Sequence, residues 1–153
     1  MTPDDVAAYL TDTFDGLAPI HAWGETSFFY NPGQVLKRGV YFATIKSKNG
    51  DNDRASDLDR NGVFRLNIGT PPVIYEDLFG PRPSRPSKGK AVSLSGANPI
   101  NFGELNKIMP HPVYAWMGWI CVLNPKDETW NLCAPLLQAA YEKSVTSFLK
   151  RKI

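Results

Sequence analysis

The sequence predicts an α+β fold, in which a mainly antiparallel sheet of about four or five strands is flanked by N- and C-terminal helices. The chain has 153 residues, the size of one ordinary domain. Apolar residues recur at helical spacing near both ends, and alternating or continuous apolar runs typical of strands lie between them. Residues 1–153 are therefore interpreted as a single compact domain without internal repeats.

The first predicted element is an N-terminal helix. Thr2 suits the N-cap and Pro3 suits the first helical position. Three apolar residues then follow at helical spacing: Val6, Leu10 and Phe14. Gly16 is the predicted end of this helix because glycine readily ends helices.

Three strands are predicted next, over residues 26–30, 40–46 and 63–68. In the second strand, alternation predicts that Tyr41, Ala43 and Ile45 face the core. In the third strand, Phe64, Leu66 and Ile68 share one face, and Val63, Arg65 and Asn67 share the other. Residues 47–61 are polar throughout and predict an exposed loop between strands.

The second half of the chain alternates between short elements and one long loop. Residues 70–79 predict a short helix that Gly80 ends. Residues 81–99 start with a basic, proline-rich stretch and predict a flexible loop. A further short helix is predicted over 102–109, and the continuous apolar run 119–123 predicts a central strand buried on both faces.

The C-terminal helix has the clearest pattern of all. Its predicted apolar stripe consists of Leu132, Leu136, Leu137, Ala140, Tyr141, Val145, Phe148 and Leu149. We place Pro135 within its first turn, because a proline deeper in a helix removes a hydrogen bond and costs about 3 kcal/mol.

Composition narrows the function classes. With 42% apolar and 21% charged residues the chain is globular, and its net charge of +2 does not by itself imply a polyanionic partner. Two cysteines exclude a disulfide framework, and no apolar run is long enough to span a membrane. The acidic start MTPDD is not a secretory signal, so we expect a cytoplasmic protein, a monomer or weak dimer without a cofactor.

Two segments carry a family resemblance. RGVYFATIKSKNGDNDRASDLDRNGVFRLNIG (38–69) and HPVYAWMGWICVLNP (111–125) resemble a bacterial family of small proteins of unknown function. More distantly, W-x-x-V-L-N-P followed by a leucine-rich helix with Ala-Tyr is similar to the MmcQ/YjbR-like proteins. That likeness implies a compact α+β fold sometimes proposed to bind DNA, although the inserts at 47–61 and 81–99 are longer here. Neither resemblance implies a catalytic residue.

Enzymatic chemistry has little support in the sequence. There is no G-x-S-x-G elbow and no phosphate-binding glycine motif. Cys121 and Cys133 lie in apolar patterns and are interpreted as buried, inert thiols. An enzyme of unknown type is therefore the last of three functional hypotheses.

A partial calcium motif occurs in the polar loop. Asp57, Asp59 and Asn61 supply oxygens at positions one, three and five, and glycine follows at six. The twelfth position is Ile68, where a glutamate is required, and a strand follows instead of a helix. We therefore favour a simple turn into the next strand over a metal site.

Two surfaces remain as candidates for binding. His111, Tyr114 and Trp116 could line a pocket to which Arg65 and Asn67 add polar groups, which predicts a non-catalytic binding module for a small ligand or protein. Core packing of the same aromatic residues is the alternative interpretation. The second surface is a basic cluster that predicts weak nucleic-acid binding: Arg82, Arg85, Lys88 and Lys90.

Overall fold

A computed structural model describes residues 1–94, 96 and 98–152 of the chain. Its helices are α1 (Pro3–Thr13), α2 (Pro72–Phe79) and α3 (Asp127–Lys152). Its strands are β1 (Leu17–Ala22), β2 (Glu25–Tyr30), β3 (Val40–Lys46), β4 (Arg65–Gly69), β5 (Met109–Pro110) and β6 (Trp119–Leu123). This arrangement confirms the predicted α+β class.

The six strands form one sheet in the order β1-β2-β3-β4-β6-β5, and each neighbouring pair is antiparallel. The strands β1 and β5 were not predicted. Pro19 lies in β1, at the edge of the sheet, which is where prolines occur within sheets.

The helix predicted over 102–109 is wrong. Asn106 has φ 57°, a left-handed conformation that interrupts a helix, and its backbone N–H donates to the carbonyl of Leu123. Met109 instead pairs with β6 as part of β5. Phe102 and Met109 are both buried in the core, so their apolar spacing reflects core packing and not a helix.

The two faces of the sheet have different cover. The helix face carries Phe28, Ala43, Leu66 and Ile120, and packs against α1 and α3. The polar face, as strand alternation places it, carries Glu25, Ser27, Tyr41, Thr44, Lys46, Arg65, Asn67, Cys121 and Trp119. Arg65 and Asn67 thus share a face opposite Leu66 and Ile68, as predicted.

A β-bulge changes the face of one predicted core residue. Phe28 pairs with Ala43 but Phe29 pairs with Tyr41, which leaves Phe42 as the extra residue of β3. Phe42 is 1% exposed and packs edge-on against Phe14 and Tyr141, whereas Tyr41 is 43% exposed. The prediction that Tyr41 faces the core is therefore wrong; for Ala43 it is confirmed.

Helix α3 is longer than predicted. It begins at Asp127, so Pro135 lies inside the helix and not in its first turn. Pro135 and Asn131, whose carbonyl lacks its usual N–H partner, both lie at exposed positions, where water can satisfy that carbonyl. Leu132 and Leu149 are also exposed, in contrast to their place in the predicted stripe.

The remaining segments agree in part with their predictions. Residues 81–94 contain no helix or strand, and residues 95 and 97 of the predicted flexible loop lie outside the described residues. In the described part of the chain, we find no helix with both the length and the apolar character that a membrane span requires.

Candidate ligand-binding site

A buried arginine organises the polar face. Arg65 opens β4, and its side chain is fully excluded from solvent. Its Nε donates to Asn67 Oδ1 at 2.7 Å, and its Nη1 donates to Asp53 Oδ1 at 3.0 Å and to Ser56 Oγ at 2.9 Å. Its Nη2 donates to Asp53 Oδ2, so the carboxylate accepts a two-pronged pair of charge-assisted bonds.

This network keeps the guanidinium charged and extends across the sheet. Burial alone would lower the pKa of Arg65, but the hydrogen bonds and charge of Asp53 more than offset burial and raise that pKa. Asn67 Nδ2 in turn donates to Thr44 Oγ1 at 2.8 Å. Strands β3 and β4 are therefore tied together on the polar face by side chains as well as by the backbone.

His111 lies beside this network in a fixed tautomer. Its Nδ1 accepts the backbone N–H groups of Val113, at 3.0 Å, and Tyr114, at 3.1 Å. An Nδ1 that accepts two hydrogen bonds carries no proton, so the neutral ring bears its hydrogen on Nε2. That Nε2 lies 3.4 Å from Nη2 of Arg65, and two N–H donors therefore face each other.

The charge state of His111 follows from its surroundings. Burial, reinforced by the positive charges of Arg65 and Lys46, holds the pKa of His111 well below its ordinary value. The imidazole is therefore neutral near pH 7. Its Nε2–H is a buried donor without an acceptor among the described residues.

An aromatic wall stands next to His111. The rings of Tyr41 and Trp119 lie 5.2 Å apart between centroids, and those of His111 and Tyr114 lie 5.1 Å apart. Trp119 lies over Gly69, where a Cβ would come within 2.7 Å of the indole ring. Glycine at the end of β4 is thus what lets the indole approach the sheet this closely.

The wall belongs to a cleft of about 810 Å³, within the size range of small-molecule sites. The cleft forms where β3 extends beyond β4, since only residues 43–46 of β3 pair with β4. Its polar-face lining is Glu25, Ser27, Phe29, Tyr41, Thr44, Gly69, His111, Tyr114, Met117 and Trp119. Its other lining residues come from the 36–40 segment and α3: Leu36, Lys37, Arg38, Gly39, Val40, Ala140, Lys143, Ser144, Ser147 and Arg151.

Four of the five predicted pocket residues come together here. Arg65, Asn67 and His111 form or adjoin the network, and Tyr114 packs on His111. Arg65 and Asn67 do not line the cleft themselves but contact His111 and Thr44, which do. Trp116 lies elsewhere, in a second cleft with Glu76 and Arg82.

Several residues of the site were missed. Asp53 lies in the loop 47–61, for which the sequence predicts only exposure. The one feature that could have indicated its role is the need of a buried arginine for an acidic partner. Tyr41 was assigned to the core because the bulge that redirects it has no signature in the sequence. Trp119 was predicted as part of a buried strand, which it is, but its ring also lines the cleft.

The basic loop is partly engaged within the protein. Arg82 donates to Glu76 and to the carbonyl of Trp116, each at 3.2 Å. The guanidinium of Arg85 lies 5.1 Å from the centre of the Trp116 ring. Of the four predicted nucleic-acid contacts, Lys88 and Lys90 are exposed and have no ion pair among the described residues.

The partial calcium motif has other partners. Asp59 accepts hydrogen bonds from the backbone and side chain of Asn49, and Asp57 lies 3.7 Å from Arg60. Asn61 is exposed in the turn before β4. Within the described residues, no three His, Cys, Asp or Glu side chains are grouped as a metal site requires.

The two thiols are buried, as predicted. Burial raises the pKa of both Cys121 and Cys133 to about 12, so neither forms a thiolate near neutral pH. The structure thus places no activated cysteine beside His111.

Comparison with known proteins gives a family but no activity. No curated protein and no solved structure matches the chain. The predicted resemblance to a family of unknown function is confirmed at that level, while the likeness to MmcQ/YjbR-like proteins stays a prediction. The chain belongs to DUF6194, a family of unknown function whose model matches residues 1–153.

Proposed function

We propose that this protein is a non-catalytic binding module for a small molecule held in the 810 Å³ cleft. The observation that carries the proposal is the coincidence of three features in one place. The cleft has the size of a ligand site, one side lined by aromatic rings, and a floor whose polar groups are positioned by the buried Arg65–Asp53 pair.

The aromatic wall supplies contact area for a ligand. Tyr41, Tyr114 and Met117 are large apolar side chains that remain well exposed, and all three line the cleft. Isolated exposed apolar residues are common, but a concave group of them is typical of a binding surface. The rings of Tyr41 and Trp119 are held against each other and need little ordering when a flat ligand binds.

The buried Arg65–Asp53 ion pair makes the floor of the cleft rigid. A buried ion pair is rarely the most stable solution for a core, because its desolvation offsets much of its attraction. Here it fixes groups next to the cleft: Arg65 lies against His111, and Asn67 holds the hydroxyl of Thr44. Such fixed polar groups are what a site needs to orient a ligand.

The chemistry of His111 favours binding over catalysis. Its Nδ1 is occupied by two backbone donors and its Nε2 carries the proton, so neither nitrogen is free to act as a general base. Both thiols are protonated and buried. What this arrangement offers a ligand is a hydrogen-bond donor.

A thermal-shift screen over metabolites, nucleotides and metal ions tests the proposal, followed by NMR mapping of each hit. A ligand of the native state stabilises it by mass action. Each hit should shift the amide signals of cleft residues. Tyr41→Ala should weaken the binding of each hit about fivefold, because it removes an aromatic contact. Trp23→Ala is the matched control, because Trp23 is 89% exposed at the β1–β2 turn, outside the cleft.

Two outcomes would contradict the proposal. One is a screen in which all hits map to surfaces other than the cleft. The other is equal binding of every hit by wild type and Tyr41→Ala.

A weak nucleic-acid interaction through the basic loop has less support. Arg82 and Arg85 are held by Glu76 and Trp116, which leaves two lysines of the predicted cluster without a partner in the described structure. Short DNA is therefore included in the screen as the probe of this second possibility, with Lys88 and Lys90 as the expected contacts.

A further inference from the structure

The charged residues around the cleft are strongly unbalanced. Four basic side chains line it, Lys37, Arg38, Lys143 and Arg151, against the single carboxylate of Glu25. None of the four forms an ion pair within the described part of the chain. Like charges gathered around a concave, partly apolar surface repel each other and raise the local concentration of anions.

One of these cations is held in an unfavourable setting. Lys143 is half-buried on α3, and burial, together with the charge of Arg82, lowers its pKa. An ammonium group that loses water without gaining a counterion is stabilised when an anion binds beside it.

At the floor of the cleft, the Nε2–H of His111 is a hydrogen-bond donor without an acceptor among the described residues. His111 is 3% exposed, and its Nε2–H faces Nη2 of Arg65 at 3.4 Å. Two N–H groups cannot satisfy each other, so the Nε2–H of His111 is left as the donor that an oxygen of a ligand in the cleft can accept. An oxygen that carries negative charge would accept most strongly, because a hydrogen bond to an ionised acceptor is stronger than one to a neutral acceptor.

We propose that the ligand of the cleft is a small molecule with an oxyanion, a carboxylate or a phosphate, attached to a flat apolar group. The oxyanion accepts from Nε2–H of His111 in the field of the four basic side chains, and the flat group lies on Tyr41. This inference rests on the proposed function, because it names the chemistry of the ligand for the same cleft.

Matched probes test the inference by NMR titration of the full chain. Phenylacetate is compared with neutral phenylacetamide, and phenyl phosphate with benzyl alcohol, so that the two pairs also distinguish carboxylate from phosphate. We expect an anionic probe to perturb cleft amides and to bind about tenfold more tightly than its neutral partner, as one charge-assisted hydrogen bond allows.

Charge variants show where the preference arises. The double variant Arg38→Gln/Lys143→Gln should bind the anionic probes about fivefold more weakly than the wild type. Its affinity for the neutral probes should be unchanged. The matched control is Lys88→Gln with Lys90→Gln, which removes the same charge outside the cleft and should leave all affinities unchanged.

His111→Asn separates the buried donor from general charge. Asparagine can accept the N–H groups of Val113 and Tyr114 in place of Nδ1, but it lacks the Nε2–H. The variant should therefore fold, as checked by circular dichroism, and lose most of its preference for anions. If it unfolds, the side-chain ¹⁵N spectrum of the wild-type imidazole serves instead: anion binding should shift the Nε2 signal of His111.

The outcomes distinguish the inference from the proposed function. Equal binding of charged and neutral probes in the cleft overturns the inference and leaves the proposed function standing. An equal loss of affinity in the control pair of lysines overturns it as well, because the preference would then be non-specific. If no probe binds the cleft, the inference falls, and the screen for ligands decides the proposed function separately.

Discussion

Replacing Asp53 with asparagine removes the counterion of a guanidinium that has no access to water. The Arg65 side chain is 0% exposed and that of Asp53 is 16% exposed. Asparagine keeps the shape and one acceptor oxygen of the carboxylate, but its Nδ2 is a donor, so the two parallel bonds from Nη1 and Nη2 cannot both form. The variant therefore leaves a buried charge unpaired and at least one N–H without a partner.

The size of the loss follows from this burial. Removing one partner of a buried ion pair costs roughly 3–5 kcal/mol. Because Asp53 retains some contact with water, the free energy of unfolding should fall by about 3 kcal/mol, the lower end of that range. With a urea dependence of about 2 kcal/mol per molar for a domain of this size, the unfolding midpoint should fall by about 1.5 M.

Urea unfolding followed by circular dichroism measures this change. Asp51→Asn is the control, because Asp51 is an exposed carboxylate of the same loop without an ion pair among the described residues. Replacing Asp53 by leucine and Arg65 by methionine together should recover part of the loss, since no charge then stays buried. A midpoint for Asp53→Asn equal to that of Asp51→Asn would refute the interpretation of Arg65 as a buried, paired cation.

Three further predictions concern the core, the long helix and pH. Phe42→Ala should lower the free energy of unfolding by about 3–5 kcal/mol and Tyr41→Ala by less than about 1 kcal/mol; the reverse order in urea unfolding would contradict the bulge. Pro135→Ala should raise it by about 1–3 kcal/mol, because Pro135 lies inside α3; an unchanged value would indicate a helix that begins near residue 132. The folded-state pKa of His111 lies below its unfolded value of 6.5, so the unfolded state binds more protons as the pH falls below 6.5. Wild type should then lose stability relative to His111→Asn by up to about 1.4 kcal/mol per pH unit, and parallel pH profiles of the two proteins would contradict a buried, neutral His111.

The strongly patterned elements could be predicted from the sequence because one face or both faces of each are buried. Alternation placed Arg65 and Asn67 on the face opposite Leu66 correctly, since β4 pairs regularly with both its neighbours. Strand β1 was missed because it lies at the edge, contains Pro19 and has no alternating pattern. Hydrophobic alternation in a sequence reflects which side chains are buried. An edge strand that buries few side chains therefore shows little alternation.

The site was less accessible to sequence reasoning because it depends on contacts between distant segments. The loop that carries Asp53 returns to Arg65 only in the folded chain, and no spacing rule connects them. Trp116 is close to His111 in sequence and was therefore predicted to share its pocket. It lies in the 3₁₀ turn Ala115–Met117 and instead lines the second cleft, where the guanidinium of Arg85 lies over its ring. Tyr41 entered the site through a bulge, which shifts the alternation by one residue.

The position of the cleft explains how a small domain can hold a ligand without weakening its core. The helix face is closed by α1 and α3, and it carries the apolar packing. The polar face is closed by loops, whose polar groups need partners, and the Arg65 network supplies them. Where β3 extends past the end of β4, Tyr41 pairs with β2 alone, and the cleft lies along this stretch of β3. Substitutions at Tyr41 should therefore change binding with little effect on stability, whereas those at Asp53 should change both.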